Sequence, residues 1–206
     1  GTWTVKSEGA KLWDVWGANW QEESGFARDP RTLQVGETVG KKNSQFDSNQ
    51  ATRNEIAAKA ASYEGSTEWA IDVAKDNFKA GSYKCNQFVY DVTTESNASP
   101  GTPNGNILKK ITRTTDNPPT AGQWGNPNYN IPGWKVLAVG EIPLPGDVGA
   151  EAHNYSDATG HCGIVVGKNL TASSNAGLNG TITINDWGFR EGQENSVVFR
   201  RWVGNK

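Results

Sequence analysis

Methionine is absent from the 206 residues, and only two cysteines and two histidines occur. No apolar run approaches the ~18 residues of a membrane-spanning helix, so a helical membrane span is not expected. Lys plus Arg (20) and Asp plus Glu (22) nearly cancel, giving a formal net charge of −2. With no long basic run either, nothing points to a nucleic-acid partner. The Cys and His residues do not fall at finger-type spacings, which argues against a tetrahedral zinc site. Two cysteines permit one disulfide, and the sequence does not exclude it. The missing Met at position 1 leads us to expect a processed or engineered end, with any export signal outside the chain given. What is abundant is glycine (24) and tryptophan (9).

Residues 1–40 read as a small unit of their own. Thr2-Trp3-Thr4-Val5-Lys6 alternates like a short strand, Ala10–Trp20 suits a helix, and Leu33–Val39 suits a returning strand. Residues 41–50 are polar and read as a linker, which leaves 51–206 as the main domain. Within it, Ala51–Tyr63 is Ala-rich and helical. Ser66–Phe78 is expected to be a second helix, with Ser66 as its cap and Glu68 near its positive end. A third helix starts near Cys85, because Cys85, Phe88, Val89 and Val92 fall at i, i+3, i+4 and i+7. Residues 97–135 are rich in Pro, Gly, Asn and Thr, as in loops that line binding sites. Strands are expected within 142–152, at 161–167, at 180–186 and at 196–203. Helices first and an antiparallel sheet afterwards is an α+β order.

Chemistry enters at Cys85. A cysteine in the first turn of a helix sits at the positive end of the helix dipole, which favours the thiolate. Gly160-His161-Cys162-Gly163-Ile164-Val165-Val166 places a histidine at the mouth of a strand. Side chains alternate along a strand, so His161 and Cys162 are expected to face opposite ways. If His161 points at Cys85, Cys162 points away and is a structural thiol. His153 reads as a solvated loop residue.

Two resemblances follow. "WTVKSEGAKLWDVWG…NW…DPRTLQVGETV" resembles a LysM repeat, a module that binds N-acetylglucosamine polymers such as peptidoglycan and chitin. Trp13, Trp16 and Trp20 share a helix face that reads first as packing, with Trp20 left as a candidate sugar-stacking ring. The order of a Cys-bearing helix, "PGDV" and then "GHCGIVV" resembles the papain-like peptidoglycan amidases of the NlpC and CHAP types, including amidase effectors that bacteria inject into rivals. This resemblance implies a papain-like fold with the Cys helix packed on an antiparallel sheet. It also implies Cys85 as nucleophile and His161 as general base.

A histidine base needs a partner that fixes its tautomer. NlpC-type enzymes place one about a dozen residues after the catalytic His, where this chain has Thr171-Ala172-Ser173-Ser174. CHAP-type enzymes end the next strand on Glu-x-Asn-Trp, which here corresponds to Ile184-Asn185-Asp186-Trp187. Asp186 is therefore the expected orienter, with Asn185 as the alternative; both are also ordinary turn residues. The Cys85 N–H is the expected oxyanion donor, and Tyr83 either adds a second donor or only packs. The implied function is amide cleavage in peptidoglycan, without cofactor or metal. The implied protein is secreted or delivered to the periplasm or cell wall, and an immunity protein is a conceivable partner. Two other readings remain open: an acyltransferase or deamidase acting on protein, and a non-enzymatic glycan-binding protein.

Overall fold

Arg53, Ile56, Ala57 and Ala60 recur at i, i+3, i+4 and i+7, and all four are buried on one face of the first helix. The computed structural model describes residues 48–101 and 117–205. The segment 1–40, with Trp20 and the LysM-like pattern, lies outside the described residues. Helix α1 spans Ser48–Ser62, so the segment expected to be linker already turns helical at its end. Helix α2 spans Cys85–Glu95 and buries Cys85, Phe88, Val89 and Val92 as their spacing requires. A single-turn helix, α3 (Ala121–Trp124), interrupts the expected loop. It is fixed by a reciprocal capping box between Thr120 and Gln123.

Six strands follow: β1 (Trp134–Val136), β2 (Val148–Ala152), β3 (Gly160–Gly167), β4 (Leu170–Asn175), β5 (Thr181–Asn185) and β6 (Val197–Trp202). They form one sheet in the order β1-β6-β2-β3-β4-β5, every pair antiparallel. The fold is therefore α+β. Register places Val148 against Ile164, Ala150 against Cys162, and Ile164 against Ala172. These residues are fully buried, in one core with Ile56, Phe88, Val89 and Val92. Both α1 and α2 pack on β3, and α2 also reaches β4. At the far edge Trp134 stands edge-on to Trp124, with ring centroids 5.1 Å apart, and tilts against Trp202 at 5.5 Å.

The expected helix at Ser66–Phe78 does not form; the segment runs through turns. Its backbone makes short local turns, such as Ala70 N–H to Thr67 O, and otherwise bonds to the β4–β5 hairpin. Gly65 N–H donates to Ile182 O, Ile182 N–H to Ser66 O, and Ile71 N–H to Asn179 O. Ser66 Oγ accepts from Glu68 N–H in a local turn rather than capping a helix. Trp69 then anchors the segment. It is 1 % exposed, donates from Nε1 to Asp91 at 2.8 Å, and packs edge-on against Tyr63 and Phe88. Tertiary hydrogen bonds and one large buried ring outweigh helix propensities of a few tenths of a kcal/mol per residue.

Candidate active site

The start of α2 is built from the loop before it. Gly81 takes φ +90°, a left-handed turn that glycine adopts without strain. Lys84, the residue before the helix, is fully buried, and its ammonium donates to the carbonyls of Ala70 (2.9 Å), Ile71 (3.3 Å) and Ser82 (2.8 Å). Burial pushes its pKa down, and Asp72 partly offsets this. The lysine thus ties three loop carbonyls to the helix start. No side chain caps α2, so its first N–H groups have no side-chain acceptor.

Cys85 occupies the first position of this helix and is 7 % exposed. It lines one cavity with His161 and shares the hydrophobic core with Cys162. The nearby Cys162, and then the imidazole and charge of His161, hold the Cys85 thiol well below its ordinary value against the opposing effect of burial. Cys162 goes the other way. Burial, and then the nearby Cys85 and its charge, raise it well above the ordinary thiol value. Both cysteines are free thiols.

This corrects the expected orientation of Cys162, which does not point away from Cys85. Cys162 lies on the core side of β3 with Ala150 and Ile164, in the same buried cluster as Cys85. His161 lies one residue nearer the strand end and lines the same cavity as Cys85. Alternation separates neighbours across a continuous sheet, but at the strand mouth Cys85 shares the core with one and a cavity with the other.

Gly160 shapes that mouth. It has φ +136°, and a Cβ there would lie 1.9 Å from Glu151 O. Register sets Glu151 directly opposite His161. The imidazole meets Trp187 edge-on at 87°, with centroids 4.5 Å apart.

The two candidates for a third member are placed differently. Asp186 is exposed and turns its carboxylate to Arg190 Nε at 2.6 Å. It has no bond to His161, and among the described residues no carboxylate hydrogen-bonds to that ring. Asn185 lines the same cavity as Cys85 and His161. Its Oδ1 accepts from Trp187 N–H at 2.9 Å, and its amide reaches Thr183 Oγ1 at 3.4 Å. Tyr83 is 38 % exposed and also lines the cavity.

The cavity holds about 390 Å³. Sequence reasoning did not single out Glu151, Tyr155, Asp157, Ser173 or Asn175, all of which line it. Only the β2–β3 register marks Glu151, and only the pairing of β4 brings Ser173 and Asn175 to the site. His153 stacks on Tyr155 in the loop after β2, with centroids 4.2 Å apart, and lines a neighbouring open groove. Among the described residues, no cluster of three or more His, Cys, Asp and Glu side chains could hold a metal ion. No described helix is long and apolar enough to cross a membrane.

No protein-family model matches the chain, and no curated protein matches it.

Proposed function

We propose that the protein is a papain-like cysteine hydrolase that cleaves amide bonds in peptidoglycan. The observation that carries the chemistry is a cysteine at a helix N-terminus without a side-chain cap, sharing with a histidine a cavity large enough for a peptide segment. The substrate class and the papain-like family rest on the sequence resemblance, and the Cys helix on an antiparallel sheet is compatible with them. Under this reading, residues 1–40 form the LysM-like targeting unit, and the protein acts outside the cytoplasm or in the periplasm.

The steps follow from the placement of the groups. The Cys85 thiolate attacks the amide carbonyl carbon while His161 carries the proton. The carbonyl oxygen becomes an oxyanion and accepts the Cys85 N–H at the start of α2, with the helix dipole behind it. His161 protonates the departing amine, which leaves a Cys85 thioester. His161 then takes a proton from water, the hydroxide attacks the thioester, and the carboxylic acid departs as the thiol is restored. Trp187 limits the ring's motion. Asn185, which lines the cavity and accepts the Trp187 N–H, is the candidate for steadying it rather than Asp186, which turns to Arg190.

Wild type and Cys85→Ala would be incubated with purified peptidoglycan and the soluble fragments read by mass spectrometry. Fragments with new amine and carboxyl ends should appear only with wild type. Equal release by both would overturn the cysteine mechanism. No release by wild type would shift the reading to acyl transfer or deamidation of a protein by the same Cys85–His161 pair.

A further inference from the structure

Glu151 stands opposite His161 where β2 pairs with β3. Two residues further along β3 lies Gly163, and a Cβ there would sit 2.9 Å from the Ser173 Cβ on β4. Alternation therefore sets Glu151, His161 and Ser173 on one face of the sheet. All three line the cavity that Cys85 also lines, and Asp157 borders it from the loop between β2 and β3. The reaction above leaves Glu151, Asp157 and Ser173 without a task. Glu151 and Asp157 are the two carboxylates on the cavity wall, and neither hydrogen-bonds or ion-pairs with a described residue. Ser173 is 2 % exposed, yet its hydroxyl has no hydrogen-bond partner among the described residues. A polar group buried that deeply is normally paired, and the open space it borders is the cavity.

The chemistry of this set fits a cation. Carboxylate and hydroxyl oxygens accept hydrogen bonds, and an ammonium group donates three. Tyr155, 55 % exposed on the same cavity, adds a ring whose face attracts positive charge. Arg190, the cavity's guanidinium, is already held by Asp186 at 2.6 Å. Attack by Cys85 builds negative charge on the carbonyl oxygen, and two unpaired carboxylates nearby oppose it. A cation brought by the substrate cancels that opposition, whereas an acidic substrate adds to it.

We propose that Glu151, Asp157 and Ser173 form a subsite for a primary ammonium group on the substrate, close to the amide that is cut. The ammonium is the side-chain amine of a diamino acid or the free amine of a chain end. This names the substrate class of the proposed reaction and rests on Cys85 being the reactive thiol, but its first test needs no peptidoglycan.

Cys85 would be modified with methanethiosulfonates carrying an aminoethyl, an ethyl or a sulfonatoethyl tail. Each turns the thiolate into a mixed disulfide and releases methanesulfinate. Mass spectrometry of the Cys85 peptide gives the rates for wild type, Glu151→Gln, Asp157→Asn, the double variant and Ser173→Ala. The ratio of cationic to neutral rate is the readout, because a change in thiol basicity acts on all the reagents alike and cancels. Wild type should react fastest with the cationic tail and slowest with the anionic one. The ratio should fall about tenfold in the double variant and about threefold in Ser173→Ala. Asp157 lies on an exposed loop, so its variant carries the comparison even if Glu151→Gln weakens the sheet. A ratio unchanged in the carboxylate variants would overturn the proposal, as would a wild-type preference for the anionic tail. Stem peptides acetylated at the side-chain amine or at the chain end then separate the two sources: the acetylation that slows cleavage marks the bound group. Cleavage indifferent to both would overturn the proposal. If the reagent ratio behaves as expected while peptidoglycan stays uncut, the ammonium subsite stands and the proposed reaction falls.

Discussion

The indole of Trp187 stands at 87° to the imidazole of His161, with ring centroids 4.5 Å apart. A histidine that must serve first as base and then as acid works only if its ring stays aimed at the sulfur. Trp187 supplies a wall without a charge, so it limits motion without fixing a protonation state. Trp187→Ala should fold and lower turnover by about 10²-fold, the scale of a misplacement of about 1 Å. Steady-state cleavage of soluble peptidoglycan fragments would measure this. Unchanged turnover would remove Trp187 from the site.

Asn185 and Asp186 are neighbours in sequence with opposite expectations. The Asp186–Arg190 pair is largely exposed, with side-chain exposures of 62 % and 49 %, and such pairs contribute about 0–1 kcal/mol. Asp186→Asn should therefore leave both stability and turnover near wild type. Asn185→Ala should reduce turnover by about tenfold or more, as expected when an acid–base group loses its support. Assaying both variants on one substrate decides between them.

His161→Ala should move the reactivity of Cys85 to higher pH. The imidazole and charge of His161 both help hold the Cys85 thiol below its ordinary value. A depressed thiol pKa means that thiolate is present below the usual range near 8.5 and is lost only as pH falls through the lowered value. Removing the imidazole should therefore slow alkylation most at acidic and neutral pH. Rates measured from pH 5 to 9 would show it.

Asp147 makes folding stability depend on pH. It is fully buried and accepts two bonds from Arg201, at 2.7 and 3.1 Å, and one from Leu144 N–H at 2.8 Å. Burial outweighs these bonds and raises its pKa to about 6. Between about pH 4 and pH 6 the folded state keeps a proton that the unfolded chain has released. This contribution is fully present below about pH 4 and is lost as pH rises through 6, about 3 kcal/mol over the whole window. Urea midpoints against pH should show the slope in wild type and not in Asp147→Asn. At pH 7.5, Arg201→Ala should cost about 3–5 kcal/mol by leaving a buried charge without its partner.

Gly160→Ala should damage site and fold together. The added Cβ would meet Glu151 O at 1.9 Å in a residue with φ +136°. Relief requires β2 and β3 to part at the strand mouth where His161 sits. A loss of about 3 kcal/mol in denaturant unfolding is expected, together with loss of turnover.

Much of the fold was legible because periodicity reports burial directly. The spacing of Cys85, Phe88, Val89 and Val92 gave α2, and the apolar run after His161 gave β3. Strands β5 and β6 were legible in the same way. Strand β4 was not, because Leu-Thr-Ala-Ser-Ser-Asn carries little strand propensity. It is a strand because β3 and β5 pair with it on both sides. The turns at Ser66–Phe78 were missed for the converse reason: a helix-compatible composition gives way when distant carbonyls take its N–H groups.

For the site, the sequence by itself singled out Cys85 and His161, the pair proposed to react, and the elements that carry them. A first-turn cysteine and a strand-opening histidine are local patterns, set by a few neighbouring residues. Only the tertiary structure decided what surrounds them. Alternation along β3 assigned Cys162 away from Cys85, yet Cys85 shares the core with Cys162 and a cavity with His161. Register across β2 and β3 put Glu151 opposite His161, and the turn after β5 sent Asp186 to Arg190 while Asn185 stayed in the cavity. These outcomes depend on how a helix end and a sheet edge meet, a relation between distant segments that local spacing does not encode.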